Sequence, residues 1–470
     1  MATVSTQGSF TQAFRPVSSP LPGGGVQVSM FHKLAWSFAL AEIFVLFTRF
    51  FDLVATGYRI PAVVLTLLVV TALIDGAIIR AIPSSTATFL IAFVIWATPA
   101  FLLGIWRSGS VPFYLGLLQS LLLFLIIAGL ITTVRQARAA MYTIGICSFI
   151  AALLSFGFGE YALGRLTLSA GSFSDPNEYA MSLLLGIPLW WLMASSSKSK
   201  ILGKLPLLAT VVIFQALLLT GSRGAFIGLI ITLAFLLKGS PPFKILVLSA
   251  TCVLATIVAY YSLPEYLQQR YFSIFSSSET VADERILSDY ASADSRMELF
   301  KQSLAITGRH ALFGVGPGNF PVALFEGARE EGKRAPWMVT HNTYTQISSE
   351  NGLPGVIFFI GILISCLSAM NRLIRRTAPN GSSPRADIYS MARYWRLSLI
   401  ALFSSVLFLS IGYSSMIYIM AAVSTGFYRA ASLELQSITA PPVKPPPGSN
   451  PLRVSASVPP ARRIGFTRYK

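Results

Sequence analysis

Three residues far apart in the chain carry side chains suited to holding an anion and moving a proton: Arg223, Arg296 and His341. Arg223 sits in Thr220-Gly221-Ser222-Arg223-Gly224, a polar step between two apolar stretches. An arginine at such a junction is costly unless it snorkels to water or holds an anion. The flanking glycines allow a backbone or ligand to approach closely, which favours anion binding over the alternative of a simple interfacial anchor. Ser295-Arg296-Met297-Glu298 has the form of a capping box and predicts a helix opening at Arg296. Met297, Phe300 and Leu304 would then share one face, with a stop at Gly308. A guanidinium beside the free amides of a helix start suits phosphate; the alternative is a solvated arginine paired with Asp294 or Glu298.

His341 belongs to Thr340-His341-Asn342-Thr343-Tyr344, whose pattern predicts a polar helix with His341, Tyr344, Thr345 and Ser348 on one side, leading into an apolar helix from Leu353. A neutral imidazole can take the proton of an attacking hydroxyl near neutral pH; the alternative is a hydrogen-bonded surface histidine. His310, just past the predicted stop, reads as structural, and His32 has no evident partner. Arg165 opens a second segment of interest, Arg165 to Tyr179, where Asp175 or Asn177 is expected to cap the next helix. Arg165, Asn177, Asn342 and Tyr344 are the candidate substrate-binding residues around the central three.

The elements that must position these residues follow from composition. Of 470 residues, 54% are hydrophobic and 12% charged, against roughly a quarter charged in a soluble domain. A soluble enzyme is therefore excluded, and 33 Phe, 17 Tyr and 7 Trp exclude disorder for the bulk of the chain. The net charge of +17 points toward nucleic acid only until the charges are located, because they lie between apolar runs and fit anionic lipid head groups instead. Cys147, Cys252 and Cys366 all fall in apolar stretches and read as packing residues. No Asp-x-Asp pair or His/Cys cluster occurs, so neither a metal nor another cofactor is expected. Gly314, Gly316 and Gly318 lack a preceding strand and read as a tight turn, not a dinucleotide fingerprint.

Apolar windows of about 20 residues predict an all-α polytopic membrane protein of about twelve helices. They begin near Lys33, Arg59, Thr86, Val111, Ala139, Glu178, Leu205, Gly224, Ile245, Leu353, Leu397 and Ser414. The last two divide one apolar run at Gly412-Tyr413-Ser414-Ser415, and joining them would give eleven. The segments are a flexible N-terminus (1–32), nine helices (33–263), one large external helical loop (264–352), three helices (353–430) and a Pro-rich basic tail (431–470). Basic residues concentrate on the side of the N-terminus, which places both termini in the cytoplasm. Outside the long loop, only Arg49, Arg59, Arg107, Arg165 and Arg223 break that rule.

With Arg296 in that loop, Ser222-Arg223-Gly224, His310-Ala311-Leu312-Phe313-Gly314-Val315-Gly316-Pro317-Gly318-Asn319-Phe320, His341-Asn342 and Gly352-Leu353-Pro354-Gly355 follow in order. In that order and spacing the chain resembles the O-antigen ligase and polysaccharide polymerase superfamily of bacterial envelope glycosyltransferases. The likeness is close over Arg165 to Gly355, with Ala311 where the family's motif has proline. It implies a multi-pass protein of the bacterial inner membrane with its catalytic loop on the external, periplasmic side. The implied activity is metal-independent, inverting transfer of a glycan from an undecaprenyl-pyrophosphate donor to an acceptor glycan or lipid. Arg223 and Arg296 correspond to the arginines that grip the pyrophosphate, and His341 to the residue that activates the acceptor. A polymerase of repeat units is the expected role, with a ligase onto lipid A core or protein as the alternative. A polysaccharide or lipid transporter is the reading from a different class; transporters tend to carry midplane charges, for which Glu42 and Asp75 are the main candidates.

Overall fold

The computed structural model describes residues 29–55, 58–162, 164–197, 202–238, 241–272, 284–330, 332, 337–378 and 383–439. The N-terminal segment before residue 29, the tail beyond 439, and 273–283 of the long loop lie outside these. The first half holds α1 (Met30–Thr48), α2 (Phe50–Val54), α3 (Ile60–Asp75), α4 (Ala77–Ala81), α5 (Ser85–Leu102), α6 (Arg107–Leu130) and α7 (Val134–Phe158). An antiparallel hairpin follows, β1 (Glu160–Ala162) and β2 (Arg165–Thr167), with Ala162 opposite Arg165. Then come α8 (Pro176–Ser196), α9 (Leu205–Leu219), α10 (Arg223–Leu237), α11 (Pro242–Tyr261), α12 (Glu265–Phe272), α13 (Glu284–Arg309), α14 (Phe320–Glu330), α15 (Thr343–Arg376), α16 (Ser383–Ser405) and α17 (Ser415–Thr439).

A helix stands at each of the twelve places read from hydropathy. Among the described residues α1, α5, α6, α7, α8 and α15 are long and apolar enough to cross a membrane, while α3, α9 and α10 are shorter apolar helices. Helix α16 begins at Ser383, polar turns ahead of its apolar run, while α15 joins a polar segment from Thr343 to the apolar run from Leu353 across a kink at Gly352, whose φ is 72° and ψ -178°. The run after Leu397 is divided where expected, α16 and α17 being separate helices, and α17 continues past Ala430 to Thr439. Cys147 and Cys366 are buried among apolar neighbours.

Side-chain oxygens fix several helix starts by bonding the first free amides. Thr133 and Gln136 form a full capping box on α7, Ser222 caps α10 through the Ala225 amide, and Asn342 caps α15 through the Thr345 amide. The core is a continuous apolar cluster among the helices. Buried polar side chains join helices across it, as where Trp395 Nε1 donates to Ser424 Oγ at 2.8 Å to tie α16 to α17.

The bundle has two chemically different ends. Helix α1 rises about 28 Å at 1.5 Å per residue, separating His32 from Arg49. At the first end His32, expected to be without partners, lies 3.1 Å from Asp75 Oδ2 through Nδ1 and 2.9 Å from Gln136 through Nε2. Arg80 pairs with the same Asp75 carboxylate, and Arg429 reaches the carbonyls of Ala128 and Ile131 at 2.7 and 2.9 Å. Asp75 thus ties α1, α3 and α4 together. The other end carries the hairpin, α12 to α14 and all the candidate site residues.

Candidate active site

Two predictions about local structure are overturned here. Arg296 does not open a helix: α13 runs unbroken from Glu284 to Arg309, so Arg296 lies in its middle. The capping box at Ser295 does not form, and Glu298 instead accepts from Gln302 at 2.8 Å one turn on. Nothing between Asp294 and Met297 forbids a helix, so the preceding turns simply continue through. His341 is likewise outside the helix that follows it. Asn342 occupies the capping position of α15, and His341 before it has φ 51°, in the left-handed region.

These displacements still bring the residues together. Along α13, Leu299, Ser303, Ile306 and Thr307 are buried, and Thr307 Oγ1 lies 2.9 Å from Ser348 Oγ of α15. Arg296 stands a further turn or more toward the N-terminus of α13, just as His341 stands before the N-terminus of α15. The two are within electrostatic reach: burial, and then the Arg296 charge, hold the His341 imidazole below its usual range, while Asp175 opposes them. At neutral pH this imidazole is therefore uncharged and able to accept a proton.

Arg165 is delivered by the hairpin. Its Nε donates to the Thr220 carbonyl at 2.8 Å and its Nη2 to Asn177 Oδ1, also at 2.8 Å. Ser222 Oγ donates to the same Asn177 oxygen at 3.0 Å. Arg223, the next residue, is the first of α10 and half-buried. Asp175 caps α8 by accepting from the amides of Asn177 and Glu178 at 2.6 and 3.2 Å, which is the capping role expected of that turn. The N-termini of α8 and α10 consequently meet, and each adds the partial positive charge of its free amides, while Asp175 at the start of α8 is also within electrostatic reach of His341 before α15. Burial, joined by the charges of Arg270 and Arg296 and opposed by Asp175, lowers Arg165 to about 10. It remains a cation at neutral pH, in a region where positive charge is crowded.

Arg270 is a residue that sequence reasoning missed. It lies on α12, and its Nε donates to the Gly221 carbonyl at 2.9 Å. Gly221 has φ 60°, and a Cβ there would come within 2.9 Å of Leu267 and 3.2 Å of Arg270. Glycine is what lets α12 lie against the turn before Arg223. Tyr271 Oη donates to the Leu218 carbonyl at 3.0 Å and holds α12 in that position.

Not every candidate points into the site. Tyr344 is turned into the bundle, with its hydroxyl donating to the Phe403 carbonyl at 3.3 Å and its ring edge-on to Phe359. Asn342 uses Oδ1 for its cap. Asn177 meets Arg165 and Ser222, so it positions them. The glycine-rich stretch is the tight turn expected, with positive φ at Gly314, Gly316 and Gly318. It is anchored by the buried Glu350 of α15, which accepts from the Gly318 amide at 2.9 Å and from Tyr413 Oη at 2.7 Å.

Residues 208–360 match the family model described as O-antigen ligase. No curated protein matches the chain. The O-antigen ligase match runs from α9 into α15 and contains Arg223, Arg270, Arg296 and His341. It bears out the resemblance to the ligase and polymerase superfamily and supports glycan transfer of that general type, on lipid-linked glycan and an acceptor. Arg165, Asp175 and Asn177 lie before the matched segment, so the O-antigen ligase-like region is completed by the hairpin and the start of α8.

Proposed function

We propose that this protein transfers a glycan from an undecaprenyl-pyrophosphate donor to an acceptor hydroxyl at the external face of a bacterial inner membrane, as a polymerase of O-antigen or exopolysaccharide repeat units. The observation that carries this is that Arg270 and Arg296 both lie within electrostatic reach of Arg165, that Arg296 and Asp175 are within reach of an uncharged His341, and that Arg223 follows the turn to which Arg270 is bonded. The hydroxyl oxygen forms a bond to the anomeric carbon as the carbon–oxygen bond to pyrophosphate breaks, which inverts that carbon. The electron pair leaves with the pyrophosphate, and the hydroxyl proton passes to the His341 imidazole. The charge growing on the leaving group meets guanidinium forks fixed in advance, in a site partly withdrawn from water. That is the contribution a metal ion makes elsewhere.

The same reading takes the twelve helices as twelve crossings, with α12 to α14 in the external loop and the basic end around Arg80 and Arg429 in the cytoplasm. His341→Ala and Arg296→Ala test it, in protein shown to reach the membrane. Lipid-linked glycan is expected to accumulate unconsumed in cells carrying either variant. Product at the wild-type level from either would remove that residue from the reaction. Long chains of repeat units lost on deletion mark a polymerase, whereas intact chains left on their carrier mark a ligase.

A further inference from the structure

Beside the first turns of α8 and α15 lies a cavity of about 350 Å³, near the lower end of the roughly 300–1,000 Å³ typical of small-molecule sites. It is walled by the end of α1, the start of α6, the start of α8, α15 and the break between α16 and α17. Its polar lining includes Arg49, Ser172, Glu178, Gln346 and Ser410, with Phe113 adding an aromatic ring. Glu178 and Arg49 are within electrostatic reach of each other, and the Arg49 guanidinium pairs with Asp52 at 3.2 Å through Nη1. Arg49 Nε is buried with no hydrogen-bond partner among the described residues.

The cavity and the arginine cluster are joined by two short connections. Asn177 faces Arg165 and Ser222, while the next residue, Glu178, lines the cavity, so the first turn of α8 divides the two spaces. Ser410 on the cavity wall lies 2.9 Å from Thr340 Oγ1, the residue immediately before His341. His341 therefore follows directly on a residue bonded to the cavity wall, and is itself within electrostatic reach of Arg296. A carboxylate in the cavity argues against a second anion there. Carboxylate, guanidinium, amide and hydroxyl groups beside an aromatic face match instead the alternating donors, acceptors and apolar ring faces of a sugar.

The geometry points to this cavity as the subsite for the acceptor saccharide, with Glu178 and Arg49 binding its hydroxyls and presenting one of them to His341. This assignment rests on the glycan-transfer reading above and adds where the acceptor sits. Its test is a binding measurement that needs no donor. Oligosaccharides released by mild acid from the host's envelope glycans are titrated onto the purified full-length protein in lipid nanodiscs, and binding is followed by saturation-transfer NMR.

Wild-type protein and Arg296→Ala are expected to bind the saccharide alike, and Glu178→Gln and Arg49→Gln to bind it at least tenfold more weakly. In a transfer assay the same two variants should raise the acceptor KM tenfold or more with donor KM unchanged. Ser172→Trp, which fills the cavity from its rim, gives the same test should Glu178→Gln fail to fold. Equal binding by wild type, Glu178→Gln and Ser172→Trp, or none by wild type, overturns the subsite. Binding that depends on Glu178 in a protein that transfers no glycan would instead overturn the transfer reading.

Discussion

Asn177 Oδ1 accepts from Arg165 Nη2 at 2.8 Å and from Ser222 Oγ at 3.0 Å. One amide oxygen thus joins three elements: the hairpin that carries Arg165, the first turn of α8, and the start of α10 where Arg223 sits. Its role is to fix where two arginines stand relative to each other. Asn177→Ala leaves a half-buried guanidinium and a buried hydroxyl each short of a partner, at a cost of about 1–3 kcal/mol. The expected outcome is a lower thermal midpoint together with a higher donor KM. A normal donor KM in the purified variant would show that Arg165 and Arg223 do not need this tether.

The pH profile should report the charge around His341. Its imidazole is held below the usual range by burial and by Arg296, and only the neutral form can accept a proton. Activity is therefore retained as pH falls through the ordinary histidine range and is lost only below it. Arg296→Gln removes one of the two causes, so the acidic limb of kcat/KM should move to higher pH as well as falling in height. An acidic limb that stays at its wild-type position in this variant would place Arg296 out of reach of the imidazole.

Much of the scaffold is written in hydropathy, because the cost of unpaired backbone in hydrocarbon forces apolar segments into helices. That is why a helix stands at all twelve expected places. The gathering of the basic residues was less open to reading. Arg49, Arg165 and Arg223 are three of the five residues that break the charge asymmetry of the short loops, and all three lie at the site or its adjoining cavity. Such exceptions persist against a cost, which was a signal available before any coordinates. Arg296 was found from a false local cue: the Ser295 to Glu298 spacing signals a helix start only when the preceding turn is not itself helical. Arg270 and Glu178 gave no signal, since their partners are backbone carbonyls and a cavity wall that only tertiary packing creates.

Arg223 should not tolerate lysine. The arginine is the first residue of α10, beside Ser222 and the Arg270-bound Gly221, and on the proposed reading its planar fork of donors holds the leaving phosphate. Lysine keeps the charge but offers a point donor in place of two parallel ones. Losing one charge-assisted hydrogen bond costs about 1.5–3 kcal/mol, which is about a 10- to 100-fold fall in kcat/KM. Arg223→Lys turning over lipid-linked glycan at the wild-type rate would show that no bidentate contact forms there.

The backbone of His341 offers a way to separate its chemistry from its fold. A non-glycine residue at φ 51° carries about 1–2 kcal/mol of conformational strain. His341→Gly removes that strain but adds about 0.5–1 kcal/mol of chain entropy to the unfolded state. The two changes nearly cancel, and little contact is lost because the ring is only half-buried. Thermal stability should stay within about 1 kcal/mol of wild type, while transfer falls by about 10²- to 10⁴-fold as a general base is removed. His341→Ala keeps the strain and loses the same ring, so it should melt below the glycine variant at equal loss of activity. An alanine variant more stable than the glycine one would mean that the chain at this position relaxes out of the left-handed region, and that the loop before α15 is not held in the form described.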